Sequence, residues 1–225
     1  MSALFEKHIT FLFFGDSITD ANRDRDDGNH LGTGYVFFLA AELQRRRPDL
    51  YVKIFNRGIG GHALHNLLGR VDEDCINLHP DIVTVQCGVN DATYRSWPSE
   101  KGIPFTPEVF EARYRELLDR IRAGLPDAKI ILMTPFLRKV ISEHYLNLSF
   151  IEKYGDIVTR LAAEYNCTLV PLGRIFAPLF DEGRGALYTV DGAHPTPLGA
   201  QRIAESWMEY AERVGGPYWD LGTPL

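Results

Sequence analysis

The chain has 225 residues, enough for one large domain or two small ones, and 45% of them are hydrophobic, ordinary for a chain with a core. Its formal net charge is −6, and Arg45, Arg46 and Arg47 form its one tight run of cations. An acidic chain without a basic stripe argues against nucleic acid as a partner, and no apolar stretch is long enough to cross a membrane as a helix.

The opening sequence, MSALFEKHITFLFFGD, lacks the basic start and small-residue cleavage site of a secretory signal, so a cytoplasmic location is expected. Its apolar run, ITFLFF at 9–14, is strand-length and stops at Gly15-Asp16. A helix is expected near 34–46, with the three arginines at its solvated C-terminal end, where cations suit the helix dipole. Strand YVKIFN follows at 51–56, then a helix near 62–78 and strand IVTVQC at 82–87.

The clearest helix is 107–122. Thr106 is placed to cap it, Pro107 suits its first position, and Phe110, Tyr114, Leu117, Leu118 and Ile121 recur at helical spacing before Gly124. Strand KIILMT at 129–134, a helix at 147–165, strand TLVPL at 168–172 and a helix at 197–213 complete the series. The strands are continuous apolar runs, which marks strands buried on both faces. Strand-helix alternation predicts an α/β fold: a three-layer α/β/α sandwich, flavodoxin-like, with about five parallel strands in a single domain spanning 1–225. Cys75, Cys87 and Cys167 are far apart and fit packing roles in a reducing compartment.

In such folds, ligands sit at the carboxyl ends of the strands. Four unusual stretches fall at strand or loop ends. Gly15-Asp16-Ser17 follows the first strand and puts a hydroxyl where a helix begins; by itself it serves equally as a helix cap, and the G-x-S-x-G elbow is absent. NRGIGGH at 56–62 follows the second strand, and its glycines either turn the chain or free an N–H for a developing oxyanion. CGVND at 87–91 follows the third strand; its Asn90 is a turn former or an amide donor. DGAHPTP at 191–197 sets Asp191 within one turn of His194, just before a helix that Thr196 would cap and Pro197 would start. A carboxylate on one imidazole nitrogen leaves the other to act as base. A nucleophile, two donor positions and an Asp-His pair are the parts needed for acyl transfer to water.

The ordered set resembles the SGNH hydrolases, also called the GDSL esterase/lipase family, from Gly15 to the final helix. The resemblance implies Ser17 as nucleophile, His194 as general base and Asp191 as its orienting carboxylate. It implies an oxyanion hole formed by the Ser17 N–H, the Gly61 N–H and the Asn90 side chain. Gly61 is the last glycine of an Asn-x-x-x-x-Gly pattern that starts at Asn56. Gly60, where many members carry Ser, departs from the pattern and should loosen the loop. GDSITD, LGTGYV at 31–36, ILMTPF at 131–136 and YGDIV at 154–158 are similar to the bacterial acetylxylan-esterase branch. Members of that branch can carry Trp just before the catalytic Asp, where this chain has Val190; Tyr188 is the nearby aromatic that would stand in for it.

These likenesses imply a serine esterase for small acyl esters, with acetylated xylo-oligosaccharides as the leading substrate and no cofactor. A thioesterase, lysophospholipase or arylesterase would use the same parts, and a non-catalytic flavodoxin-like binding module is the alternative from another class. The segment DATYRSWPSEKGIPF after Asn90 is polar with aromatics and does not read as an apolar lid. Asp16 and Tyr188 are expected substrate contacts, and Tyr94 and Trp97 either stack on a sugar face as further contacts or pack the loop or a subunit interface. His62 and His65 lie three apart without a third ligand at metal spacing, so no metal is expected. The charged stretch 19–30 either rims the pocket or is solvated, and the tail GGPYWDLGTPL, with Trp219, suits a docked terminus or an interface in a homo-oligomer.

Overall fold

The apolar run at the start of the chain forms β1 (Lys7–Gly15). In the computed structural model, which describes residues 7–93, 102–138 and 148–212, it is followed by α1 (Ser17–Asp20), α2 (Tyr35–Arg46), β2 (Leu50–Gly58), α3 (Leu64–Asp74) and a 3₁₀ turn (Ile76–Leu78). Then come β3 (Ile82–Gln86), α4 (Val89–Thr93), α5 (Pro107–Gly124), β4 (Lys129–Met133), α6 (Leu148–Glu164) and β5 (Thr168–Val170). Helices α7 (Leu172–Asp181), α8 (Gly185–Tyr188) and α9 (Pro197–Glu212) end the described chain.

The five strands form one parallel sheet in the order β2-β1-β3-β4-β5. Both faces are covered, which explains why the strands read as unbroken apolar runs. Leu12 and Phe14 point to one face with Val83, Val85, Ile130 and Leu132, against α3, α5 and α6. Ile9, Phe11 and Phe13 point to the other with Ile82, Ile131 and Met133, against α2, α7 and α9. This is the expected three-layer α/β/α arrangement. On the second face the Trp207 indole N–H donates to the Thr84 hydroxyl at 3.0 Å, which satisfies that buried group of β3.

Local signals hold where they rest on caps. The Thr106 hydroxyl accepts the Val109 N–H at 3.3 Å, and Pro107 opens α5. Arg45 and Arg46 close α2, where both bond Glu42. Gly124 is the last residue of α5, and a Cβ there would lie 2.6 Å from Ile76 Cγ2, so close packing calls for glycine. Strand β5 stops at Val170, because Pro171 has no N–H to continue the ladder. The helix expected at 62–78 breaks at Cys75 into α3 and the 3₁₀ turn. Positions 147 and 213, the outer bounds of two expected helices, lie outside the described residues. The order β2-β1-β3 brings the carboxyl ends of the first three strands side by side, with α1 directly above them.

Candidate active site

Ser17 owes its position to glycines beneath it. Gly15 pairs with Gly58 across β1 and β2. A Cβ on Gly15 would stand 2.4 Å from the Gln86 carbonyl oxygen and 2.5 Å from Thr19 Oγ1, so only glycine lets α1 fold back this closely. The Asp16 carboxylate caps α1 by accepting the Ile18 N–H at 3.0 Å. Thr19 Oγ1 and the Tyr35 hydroxyl share a buried hydrogen bond of 3.0 Å, tying α1 to α2.

The acid-base pair comes from the far end of the chain. The turn before α9 is closed by a bridge between Thr189 and Pro195 and by the Val190 N–H on the His194 carbonyl at 2.9 Å. Asp191 Oδ1 accepts the N–H groups of Ala193 and His194 at 3.0 and 2.8 Å, and its Oδ2 lies 2.6 Å from His194 Nδ1. Partial burial pulls this carboxyl upward, but the hydrogen bonds from the His194 ring and from the two backbone N–H groups outweigh it and hold it below its ordinary value. Thr196 caps α9 through the Gly199 N–H at 3.2 Å, so the helix fixes the turn. His194 Nε2 is then 2.8 Å from Ser17 Oγ. With the Nδ1 proton on the carboxylate side, Nε2 carries the lone pair facing the serine, the geometry of a hydroxyl and its general base.

The second wall is the loop after β2. The Ile59 N–H donates to the Gly15 carbonyl at 3.1 Å, the Gly60 N–H to Asp20 Oδ2 at 2.7 Å and the His62 N–H to the Ile59 carbonyl at 3.2 Å. Gly61 between them takes the left-handed φ of 83°. The Asn90 amide donates to the His62 carbonyl at 2.9 Å, which joins α4 to the same loop. A Cβ on Gly60 would come within 3.9 Å of Ser17 Cβ, so the loop runs beside the serine. Asn56 locks the end of β2 to α1: its amide donates to the carbonyls of Thr19 and Leu31 at 2.7 and 2.8 Å, and its oxygen accepts the Gly58 N–H at 2.9 Å.

Two residues that motif reading passed over belong to this frame. Arg70, from α3, donates to the carbonyls of Arg57 (2.8 Å) and Gly15 (3.1 Å), to Asp74 (2.9 Å) and to His62 Nδ1 (3.1 Å), and it lies over the Phe14 ring. Burial and the Arg70 charge push the His62 imidazole down to about 4, which keeps it a neutral acceptor. Among the described residues no three His, Cys, Asp or Glu side chains are grouped to hold a metal ion. The second residue is Asp20, whose carboxylate joins α1 to the loop after β2.

Beneath the serine lie two fully buried carboxyls. Burial pushes Asp16 up to about 7 against the opposing pull of the Ile18 N–H and His194, and Asp91 adds a further upward push. Burial likewise pushes Asp91 up to about 7, opposed by the Leu64 N–H, which donates to both its oxygens at 3.2 Å.

A cavity of about 740 Å³ opens over Ser17 and His194, lined by Asp20, Arg23, Arg25, Thr33 and Val190 among others. Two of the expected substrate contacts do not line it. Asp16 is wholly enclosed below the serine and lines no part of the cavity, because the cap that starts α1 turns its carboxyl inward. Tyr188 ends α8 and its ring packs edge-on to Phe176, with centroids 6.3 Å apart, so Val190 alone of the two lines the cavity. Tyr94, Trp97 and Trp219 lie outside the described residues.

Residues 13–202 match the family model of the GDSL-like lipase/acylhydrolase family, so the chain belongs to that family of ester hydrolases. It is 32% identical over 207 residues to the acetylxylan esterase of Geobacillus stearothermophilus, covering 88% of this chain and 91% of that one. The solved structure of an acetylxylan esterase from the same organism superposes with a TM-score of 0.78 at 29% identity, over 93% of this chain and 95% of the other. A GDSL-like protein from Parabacteroides merdae gives a TM-score of 0.83 at 30% identity, over 97% and 98%. Structures of catalytic mutants of the Geobacillus enzyme, with alanine in place of a serine, an aspartate or a histidine, match with TM-scores of 0.78 to 0.79. The chain is a carboxylic ester hydrolase. Among the described residues no helix is long and apolar enough to cross a membrane.

Proposed function

We propose that this hydrolase is a serine esterase that removes small acyl groups, acetyl above all, from carbohydrates such as acetylated xylo-oligosaccharides. The observation that carries the reading is the 2.8 Å contact of Ser17 Oγ with His194 Nε2, backed by the 2.6 Å contact of His194 Nδ1 with Asp191. Ser17 Oγ attacks the acyl carbonyl and its proton passes to Nε2. The N–H groups of Ser17 and Gly61 and the Asn90 amide receive the oxyanion. The intermediate collapses to acyl-Ser17 as the sugar hydroxyl leaves with the proton from His194. Water then attacks the acyl group, again giving its proton to Nε2, and the carboxylate departs as serine recovers the proton. Asp191 orients the ring and stabilises the imidazolium.

The catalytic mutants of the Geobacillus esterase support this assignment, since they fall on the same three residue types with Asp and His three apart, as here. The polar lining from Asp20, Arg23, Arg25 and Thr33 favours a hydroxyl-rich leaving group over a long acyl chain. Acting as one domain in the cytoplasm, the enzyme would meet short imported oligosaccharides rather than polymer.

Initial rates on p-nitrophenyl acetate, butyrate and octanoate, with acetate release from acetylated xylo-oligosaccharides, test the proposal in wild type and Ser17→Ala. Fast acetate turnover, a steep fall with chain length and an inactive variant are expected. A preference for octanoate, or an active Ser17→Ala enzyme, overturns it.

A further inference from the structure

Asp20 ends α1, the short helix that begins at Ser17, and its side chain is only 8% exposed. Its backbone N–H closes the helix on the Asp16 carbonyl at 2.9 Å. Its carboxylate faces three ways: Oδ2 accepts the Gly60 N–H at 2.7 Å and the Arg25 guanidinium at 2.5 Å, while Oδ1 accepts the Arg23 N–H at 3.2 Å. One side chain therefore spans the helix of the serine, the loop of Gly61 and the turn that follows α1. That turn holds two consecutive left-handed residues, Ala21 at φ 43° and Asn22 at φ 60°, a conformation that persists only where the surroundings impose it.

We infer that Asp20 is a positioning residue for ester hydrolysis, holding the Gly60 N–H so that the neighbouring Gly61 N–H is aimed at the oxyanion formed on Ser17. The inference rests on the functional reading above. Gly60 has no side chain by which it could be held, so it is held through its backbone, and its N–H goes to Asp20. An oxyanion donor counts only when it is aimed before the charge develops. A loop free to turn by a fraction of an ångström loses rate without losing substrate, since the ground-state carbonyl needs the donor less than the tetrahedral anion does.

The test compares wild type, Asp20→Ala and Asp20→Asn on p-nitrophenyl acetate, with kcat and KM separated. Inhibition by an alkylboronic acid is measured alongside; its boron bonds to Ser17 Oγ, becomes a tetrahedral anion and sends the serine proton to His194. In Asp20→Ala, kcat should fall about 10- to 100-fold with KM within about threefold, and boronate inhibition should weaken in step. Asp20→Asn keeps an acceptor for the Gly60 N–H and should recover most of the loss. Unchanged kcat and boronate affinity in Asp20→Ala, or a rise in KM alone, overturns the inference. If Asp20→Ala does not fold, hydrogen exchange at Gly60 in wild-type protein labelled with ¹⁵N-glycine decides: slow exchange supports the clamp and fast exchange overturns it. Ser17→Ala runs in parallel. An active Ser17→Ala enzyme overturns the functional reading and this inference together, whereas an inactive one beside unaffected Asp20 variants overturns this inference alone.

Discussion

Gly15 and Gly58 lie opposite one another at the ends of β1 and β2, and the space their side chains would fill is occupied by the helix that carries Ser17. A Cβ on Gly15 meets Thr19; a Cβ on Gly58 would stand 2.1 Å from the Asp20 backbone nitrogen and 2.6 Å from the Thr19 carbonyl carbon. The serine is thus seated on two bare strand ends.

Gly58→Ala should therefore push α1 off the sheet. Overpacking of this kind costs about 1–3 kcal/mol, which in a chain of this size lowers Tm by roughly 2–12 °C. Thermal unfolding and p-nitrophenyl acetate rates measure both effects, and activity should fall more than tenfold because Ser17 moves with the helix. Wild-type rates would contradict this seating.

Asp191→Asn should keep the turn and lose the chemistry. The amide oxygen can still accept the N–H groups of Ala193 and His194, but its NH₂ then faces Nδ1. That favours the tautomer with the proton on Nε2, which points a donor at Ser17. Loss of kcat by about 10⁴-fold, with unfolding temperature near wild type, is the expected outcome.

Asn90→Ala removes an amide donor held in place by the His62 carbonyl. A drop in kcat of about 100-fold or more with little change in KM is expected from steady-state kinetics. An equal rise in KM would make Asn90 a ground-state contact instead.

Asp16 predicts a pH signature in stability. Its folded value of about 7 lies above the ordinary 3.8, so the native state binds the proton more tightly than the unfolded chain. The stabilisation is complete below about pH 3.8 and is lost as pH rises through 7. Three pKa units correspond to up to about 4 kcal/mol. Asp16→Asn keeps the cap on Ile18 and removes this titration, at a cost that does not vary with pH. Urea unfolding at pH 4.5, 6 and 7.5 should show the variant losing less stability across the range, though Asp91 continues to titrate. Parallel curves would refute the assignment.

The strands were legible because neighbouring residues such as Phe13 and Phe14 enter opposite apolar layers, so that polar residues such as Thr10 and Thr84 interrupt the apolar runs only singly. The Ser17, Asp191 and His194 constellation was legible because each sits beside its own cap or turn chemistry. Helices α4 and α8 were not, since elements of five and four residues show no period, and of α1 only the start at Ser17 could be read. Arg70 was hidden for another reason: besides its local partners Asp74 and His62, its guanidinium reaches carbonyls 13 and 55 residues away, brought together by β1 and β2. Asp20 meets the Gly60 N–H across 40 residues in the same way. The direction of Tyr188 was not legible, because closeness to Val190 in sequence says nothing of where a ring points, and α8 turns it toward Phe176.

The hydroxyl and imidazole that meet at 2.8 Å are 177 residues apart in the chain. On a ribosome adding roughly 5–20 residues per second, that separation is a delay of about 10–35 s. Throughout it the nascent polypeptide holds a serine with no base to take its proton. On the proposed mechanism, hydrolytic competence therefore arrives late in translation, when the turn before α9 has emerged and closed over the first strand's helix, and a fragment ending short of that turn, whether from stalled synthesis or proteolysis, would be chemically silent toward the esters around it.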